Sequence, residues 1–448
     1  MGLFLVMQTR RERLGYEMTL LPSLEELVPE DHYMRRLDRV LDLSFVHEAV
    51  RDKYCQDNGR PSIDPEVILR LSLLLAITGR DSVRGLLEEV DLHLGYRWFI
   101  GYGPSEVLPD HSTLSKALAR FGDEVFNELF ERSIQQCQAS GLIGGKVMHV
   151  DATTIRADLD ANRVNEPDSP DPDARFGRFP DGTLKPGYKQ HTVVDGKKGV
   201  VLGVSVSPAN KPDDTGMVGM VDEVTERLGQ APVVVCADGA YGSGRNRAAL
   251  EKRGVRLVSP PAKPITYTGD KYFTVEAFEY DEAKDEFVCP AGECLPFIDN
   301  DSKRPDRRRY RASRSCCKVC ELKAKCTRSP RRQLKVGTYH AALIRLRADS
   351  QTESFRSFYR SRAPVIEGTF AEGKQWHGLR RARRRGLCNM LVQSLIVMTV
   401  LNLKRLATLL RLLFGLKRLW RGLHAFTEGH LRLMGSLVGY SRAITPYA

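Results

Sequence analysis

Val147-Met148-His149-Val150-Asp151-Ala152-Thr153-Thr154 is the stretch on which the reading of this chain turns. Its apolar run reads as a buried strand ending at Thr153-Thr154, with the acid Asp151 inside it. A second run of the same kind, Val233-Val234-Val235-Cys236-Ala237, leads into Asp238-Gly239-Ala240-Tyr241-Gly242. A third acid, Glu367, lies in Tyr359-x2-Arg362-x4-Glu367-x6-Lys374, a helix-compatible stretch just ahead of a dense arginine cluster. Two carboxylates at strand ends and one on a later helix can hold two divalent cations side by side. Such a pair activates a nucleophile and stabilises the leaving oxygen of a phosphodiester. Ligand sets made only of oxygen suit Mg²⁺ or Mn²⁺ rather than zinc. Taken singly, each acid also fits a strand-end cap or a solvated helix face. It is the joint pattern that points to chemistry.

Working outward, Tyr188–Val194 and Val200–Val206 flank Asp195-Gly196-Lys197-Lys198-Gly199, a strong hairpin signal. The spacing then predicts a helix over Thr215–Leu228, a strand over Pro232–Ala237, a helix over Gly244–Lys252 and a strand over Val255–Val258. Three strands followed by helix, strand, helix, strand is the order of an RNase H-like mixed β-sheet flanked by helices. That order puts Asp151 on the first strand and Asp238 just after the fourth, so the two acids can meet at one edge. Between the first two strands, the acidic, proline-bearing segment Asp158–Asp181 reads as a mobile loop.

Upstream, residues 1–140 read as an all-helical N-terminal domain for DNA binding or dimerisation. Asp64-Pro65 supplies a cap and first turn for the apolar helix that follows, and Gly79-Arg80-Asp81-Ser82 breaks it. Asp110-His111-Ser112 caps Thr113–Phe121, with Leu114, Leu118 and Phe121 on one face. Paired short helices of this kind fit either a helix-turn-helix in the major groove or a packing module. Residues 145–260 form the first part of the catalytic core and 351–448 its helical C-terminal part with Glu367 and a basic tail. The intervening residues 261–350 are too many for a plain loop and predict an inserted subdomain.

The 448 residues carry a formal net charge of +12, which points to a polyanionic partner. From Lys374 onward there are 14 Lys/Arg and a single acid, Glu428, so the basicity is a C-terminal property. The apolar opening Leu3–Met7 is short and precedes Arg10-Arg11-Glu12-Arg13, the wrong order for a secretory signal. Leu391–Leu403 is interrupted by Gln393, Ser394, Thr399 and Asn402; it reads as a buried helix too short to span a bilayer. No membrane partner is expected. These readings imply a cytoplasmic protein, in which ten cysteines do not form a disulfide framework.

Six of those cysteines fall in the insertion: Cys289, Cys294, Cys316, Cys317, Cys320 and Cys326. Cys317-x2-Cys320 is a knuckle that Cys289 and Cys326 can complete as a thiolate site for structural Zn²⁺, with Cys294 and Cys316 competing for places. The same spacing fits uncoordinated thiols, in a segment with too little apolar mass to fold easily alone. Cys55, Cys137, Cys236 and Cys388 read as ordinary buried thiols. The run Arg380, Arg381, Arg383, Arg384 and Arg385 points to phosphate contact, as does Lys374, two helical turns beyond Glu367. Lys189 and His191 alternate onto one side of their strand, where His191 fits either a phosphate contact or a satisfied core position. Gly239, Ala240 and Gly242 fit close backbone approach by DNA or simply a tight turn. Trp376 and His377 are candidates for stacking on an unpaired base.

The triad, together with Gly59-Arg60-Pro61-Ser62-Ile63-Asp64-Pro65-Glu66-Val67, Pro109-Asp110-His111-Ser112-Thr113-Leu114-Ser115, Gly187-Tyr188-Lys189-Gln190-His191 and Pro208-Ala209-Asn210, resembles the DDE transposases of bacterial insertion sequences. The C-terminal signature resembles the family's Tyr-Arg-Glu-Lys motif. Four residues separate Arg362 from Glu367 where many relatives have three, so Glu367 and Lys374 carry the match more firmly than Arg362. The resemblance implies bound Mg²⁺ or Mn²⁺ on Asp151, Asp238 and Glu367, and cleavage and joining of double-stranded DNA at transposon ends. It also implies at least a homodimer on DNA. A Mg²⁺-dependent nuclease of the same fold and a DNA-binding regulator with idle acids are the rival readings.

Overall fold

The computed structural model describes residues 23–54, 62–214, 216–262 and 272–412, which fall into two compact units. Cys55, Gly59-Arg60-Pro61, Thr215, the opening 22 residues and the basic tail from residue 413 lie outside the described residues.

The first unit is helical: α1 (Leu24–Leu27), α2 (Tyr33–Asp38), α3 (Val46–Ala49), α4 (Pro65–Ile77), α5 (Val83–Leu92), α6 (Leu94–Ile100), α7 (His111–Phe121) and α8 (Glu124–Ala139). Asp64 caps α4 by accepting from the Glu66 amide at 2.8 Å, and Pro65 occupies the first turn, where no amide is needed. Apolar residues all round α4 leave eleven of its positions buried, including Arg70, which pairs with Asp38 at 2.6 Å. Asp110 caps α7 through the Ser112 amide at 2.8 Å, and Leu114, Leu118 and Phe121 are buried on one face as the spacing predicts.

The second unit holds a six-stranded mixed sheet: β1 (Val147–Arg156), β2 (Arg175–Arg178), β3 (Leu184–Asp195), β4 (Val201–Pro208), β5 (Val234–Ala237) and β6 (Arg256–Val258). β1, β3 and β4 form an antiparallel meander, and β5 and β6 add in parallel on the far side of β1, giving the RNase H-like arrangement. Helices α9 (Met217–Leu228) and α10 (Gly244–Glu251) precede the two parallel strands or link them. The segment Asp158–Asp181 holds more order than a loop. Arg175–Arg178 of β2 pair with the first residues of β3, and Asp171 is buried against the Tyr188 hydroxyl.

The insertion is a folded module rather than a thinly apolar segment. A five-stranded antiparallel sheet, β7 (Glu279–Asp281), β8 (Glu286–Val288), β9 (Cys294–Asp301), β10 (Arg304–Arg311) and β11 (Gln333–Gly337), carries α11 (Arg314–Val319) and α12 (Lys323–Cys326). Its core is Phe278, Phe287, Leu295, Tyr310, Ala312, Leu334 and Val336. The expectation of too little apolar mass fails because one apolar residue in two suffices for a sheet face. The alternate positions hold charges that pair across strands, Arg309 with Asp299 and Lys335 with Asp301. Then follow α13 (His340–Ser350) and α14 (Glu353–Trp376), a long helix with Pro364 inside it.

The last described helix, α15 (Leu387–Leu412), is twice as long as the apolar stretch suggested and, by length and composition, long enough to cross a membrane. It is nonetheless 72% buried along its most apolar window, and its Ser394, Thr399 and Asn402 are fully enclosed. The Asn402 amide donates to Ser133 on α8 at 3.2 Å, so α15 is a core helix of the first unit. Of the described residues from Glu372 on, all but 385–387 group with the N-terminal helices and not with the sheet.

Candidate active site

The register of β1 and β5 brings two acids together. Val150 is the last β1 residue paired in parallel with β5, opposite Ala237, so Asp151 and Asp238 are the next residues along neighbouring strands. Side chains at matched positions of adjacent parallel strands project to one side, with backbones about 5 Å apart. Asp238 then caps the short turn Gly239–Tyr241 by accepting from the Ala240 amide at 3.0 Å. A Cβ on Gly242 would stand 1.9 Å from the Pro260 carbonyl oxygen, so the glycine serves the tight turn itself.

The third acid arrives on α14. Cys236 on β5 donates its thiol to the Phe358 carbonyl at 3.6 Å, and Arg256 on β6 holds Asp349 at 2.6 Å just before the helix begins. Arg362, buried, donates from Nη1 to Asp151 Oδ2 at 2.9 Å and reaches Glu367 Oε1 at 3.8 Å from Nη2. The motif spacing therefore closes on the sheet acids through Arg362, while Glu367 stays exposed. Glu372 and Glu353 are engaged elsewhere: Glu372 with Lys404 and His377, held down to about 2 by those partners despite burial, and Glu353 with Arg360.

Electrostatics mark the same place. Burial pushes the Asp151 carboxyl up to about 6, against the opposing pull of Arg362 and the Ala152 amide; Asp238 and Asp213 add to the rise. Asp213 is a fourth acid that the sequence reading passed over. It binds Lys189 on β3 at 2.5 Å, one of the two strand positions singled out beforehand. The other, His191, is buried and bonded to Ser207 Oγ at 2.9 Å, with burial and Lys189 lowering its pKa. Tyr241 was also passed over. Its hydroxyl is buried with no hydrogen-bond partner among the described residues; burial raises its pKa, and the charges of Asp151, Asp213, Asp238 and Asp214 add to the rise. Gly-x-Tyr after the strand acid was the available signal.

Among the described residues no group of three or more His, Cys, Asp or Glu side chains stands close enough to hold an ion as placed. The chemistry of the donors nevertheless suits a hard cation. Two neighbouring carboxylates, one of them desolvated enough to hold its proton up to about pH 6, make a place where positive charge is stabilised. Arg362 supplies part of that charge.

The basic residues divide sharply. Within the first unit, Arg383 donates to the backbone carbonyls of Arg80, Leu75 and His377 at 3.0, 3.3 and 3.4 Å, and burial lowers its pKa to about 10. Arg383 is thus a structural residue, not an open phosphate ligand. Arg380 and Arg381 are exposed, Arg384 is part-buried, and Lys374 is part-buried with its pKa lowered by burial and by Arg380. In the second unit Arg385 donates to the Asp158 carbonyl at 3.0 Å. Of the two stacking candidates, Trp376 is exposed, whereas His377 is buried and bonded to the Ala76 carbonyl at 2.8 Å and to Lys404 at 3.0 Å. Cys137 and Cys236 are buried as expected, but Cys388 is exposed beside Asp123 because it lies on the outer face at the start of α15.

Residues 22–120 match the family Transposase domain (DUF772), and residues 288–407 match the family Transposase DDE domain, which includes Glu367 and the whole of α14. These two matches, with the relative that follows, support an insertion-sequence DDE transposase. It is 35% identical over 90 residues to a transposase for insertion sequence element IS402 from Burkholderia cepacia. That match covers 19% of this chain and 42% of the relative, so the chain spans under half of the relative's length there. Among solved structures it is similar to a piggyBac transposase synaptic complex with hairpin DNA, at 11% identity and a TM-score of 0.33, covering 88% of this chain and 81% of that one. A Mos1 transposase paired-end complex with the left transposon end gives 11% identity and a TM-score of 0.18 over 71% of this chain and 81% of that one.

Proposed function

We propose that this protein cuts the ends of an insertion sequence and joins the freed 3′-hydroxyl to target DNA by in-line phosphoryl transfer. The reading rests above all on Asp151 and Asp238, side by side at the parallel edge of β1 and β5 with Arg362 of α14 on the Asp151 carboxylate. Asp151 and Asp238 would hold Mg²⁺ or Mn²⁺, and Glu367 would turn in from α14 to complete the set. The cation supplies Lewis-acid stabilisation of the transferring phosphoryl group and activation of the attacking oxygen. Lys189 and the exposed Arg380 and Arg381 would bind phosphates, and Arg362 would balance charge within the acid cluster. Transposon-end and target DNA are the partners of this reading, a DNA-bound homodimer its assembly, and the nucleoid its place of action in the cytoplasm.

The test uses a duplex carrying the element's own terminal sequence. Asp151→Ala, Asp238→Ala and Glu367→Ala should each abolish cleavage while leaving DNA binding largely intact, since each removes a proposed cation ligand and no phosphate contact. Normal cleavage by either aspartate variant would overturn the reading. Cleavage by the wild type without any joined product would reassign the protein as a nuclease of the same fold.

A further inference from the structure

The insertion folds its cysteines around one small space. A cavity of about 30 Å³ within the insertion is lined by Cys289, Cys316, Cys317, Cys320 and Cys326, among others. That volume is about what one water or one ion occupies. Cys294, the sixth cysteine of the insertion, is not in the lining; it is exposed, with its thiol toward Glu286 at 3.6 Å. Chain geometry explains the gathering. Cys289 opens a tight turn closed by Gly292 at φ +83°, Cys320 ends the short helix that carries Cys317, and Cys326 ends the next helix. Cys289, Cys317 and Cys326 also pack against the aromatic core of the module, which shields the space from water on one side.

One donor already reaches this ring of sulfur, and a second lines the same space. The Glu293 amide donates to Cys289 Sγ at 3.4 Å, an N–H to sulfur bond that gains strength when the sulfur is a thiolate. Arg332 lines the cavity, donates from its Nη atoms to the Cys326 and Phe273 carbonyls, and leaves a buried Nε with no partner among the described residues. A buried guanidinium N–H without an acceptor is costly, and an adjacent thiolate is the acceptor that would satisfy it.

We propose that the insertion holds one structural zinc ion ligated by Cys289, Cys317, Cys320 and Cys326, with Arg332 Nε donating to a ligand sulfur. Four thiolates leave the site with two net negative charges, which Arg332 and Lys323 in the lining offset. Cys289, Cys317 and Cys326 pack against the module's core and Cys320 completes the Cys317-x2-Cys320 knuckle, which leaves Cys316 as the bystander of the five. The thiols line the space without reaching ligating distance, so uptake requires inward rotation and loss of four protons to solvent. The site lies in the insertion and makes no claim on the acids of the sheet.

The experiment is elemental analysis of the full-length protein purified with zinc present. It expects about one zinc per chain for the wild type and for Cys294→Ser, and less than roughly a fifth of that for Cys317→Ser and Cys326→Ser. Because those variants can lose the fold of the insertion, a second measurement uses the wild type alone: zinc is removed by chelation and Co²⁺ added. Sulfur-to-cobalt charge-transfer absorption at one equivalent supports the site. A metal-free wild type, or bound Co²⁺ without that absorption, overturns it. DNA cleavage is read separately, so the zinc site can fail while the acid triad stands.

Discussion

Arg362 on α14 and Asp151 on β1, 211 residues apart in sequence, form a part-buried ion pair at 2.9 Å in the heart of the acid cluster. The arginine sits where positive charge is needed and where a divalent cation would also be drawn. The two occupants repel, so the pair is both a structural tie between helix and sheet and a competitor for the cation.

Asp151→Asn separates folding from chemistry. The folded chain holds the Asp151 proton up to about 6, against 3.8 for an ordinary aspartate. Between those values the native state therefore binds more protons than the unfolded state, and stability falls as pH rises through the window. Above it, the ionised carboxylate costs the fold on the order of 2–3 kcal/mol. Metal-free Asp151→Asn should accordingly melt a few degrees above the wild type near pH 8 and match it near pH 4. Mg²⁺ should narrow the gap by stabilising the wild type alone. A variant less stable than wild type near pH 8 would contradict the burial argument.

Arg362→Gln tests the competition directly. Without a cation it should destabilise the protein by roughly 2–4 kcal/mol near pH 8, because Asp151 loses its partner. The loss should shrink below about pH 6, where Asp151 is protonated anyway. In calorimetric titration the same variant should bind Mn²⁺ more tightly than wild type, since a nearby positive charge is gone. Weaker Mn²⁺ binding would mean that Arg362 organises the carboxylates instead of opposing the ion.

The sheet and its two aspartates were legible in the sequence because buried parallel strands are continuous apolar runs, and an acid ending such a run is conspicuous. Glu367 was picked out by its motif, and the structure brings it as far as Arg362, at 3.8 Å. Asp213 was not, since it lies in the polar segment after Pro208, where an acid looks like any solvated loop residue; only the register of β3 against β4 brings it to Lys189. The insertion's sheet was hidden by strands such as Arg307-Arg308-Arg309-Tyr310-Arg311, whose single buried tyrosine carries the core contact. Arg383 and Arg380, three residues apart in one charge run, looked alike, because sequence does not say which guanidinium turns inward onto carbonyls.

Tyr241→Phe addresses the unpartnered hydroxyl among the acids. A buried O–H without an acceptor pays its desolvation and gains nothing, so its removal should be neutral or stabilise by up to about 1 kcal/mol in the metal-free protein. If divalent cation loading organises water around the hydroxyl, the wild type should recover the difference when Mg²⁺ is added. A phenylalanine variant destabilised by several kcal/mol without cation would show that the hydroxyl has a partner in the folded protein after all.

The arginine run makes the last prediction, which sets two neighbours against each other. Arg383 satisfies three carbonyls of the helical unit. Arg383→Gln should therefore lower thermal stability, by roughly 1–2 kcal/mol, because its carbonyl partners, two of them in part-buried bonds, lose charge-assisted donors. Its effect on DNA affinity should follow only from the unfolded fraction. Arg380 is exposed, and Arg380→Gln should leave the melting temperature within about a degree while weakening binding to all DNA sequences alike. The slope of log affinity against log salt should flatten by about one phosphate contact for Arg380→Gln and stay unchanged for folded Arg383→Gln. Measuring both slopes at a temperature where each variant is fully folded keeps the two effects apart. Equal slopes for wild type and Arg380→Gln would turn this face of the protein away from DNA. A flattened slope with unchanged stability for Arg383→Gln would mean that its guanidinium leaves the carbonyls for phosphate when DNA binds.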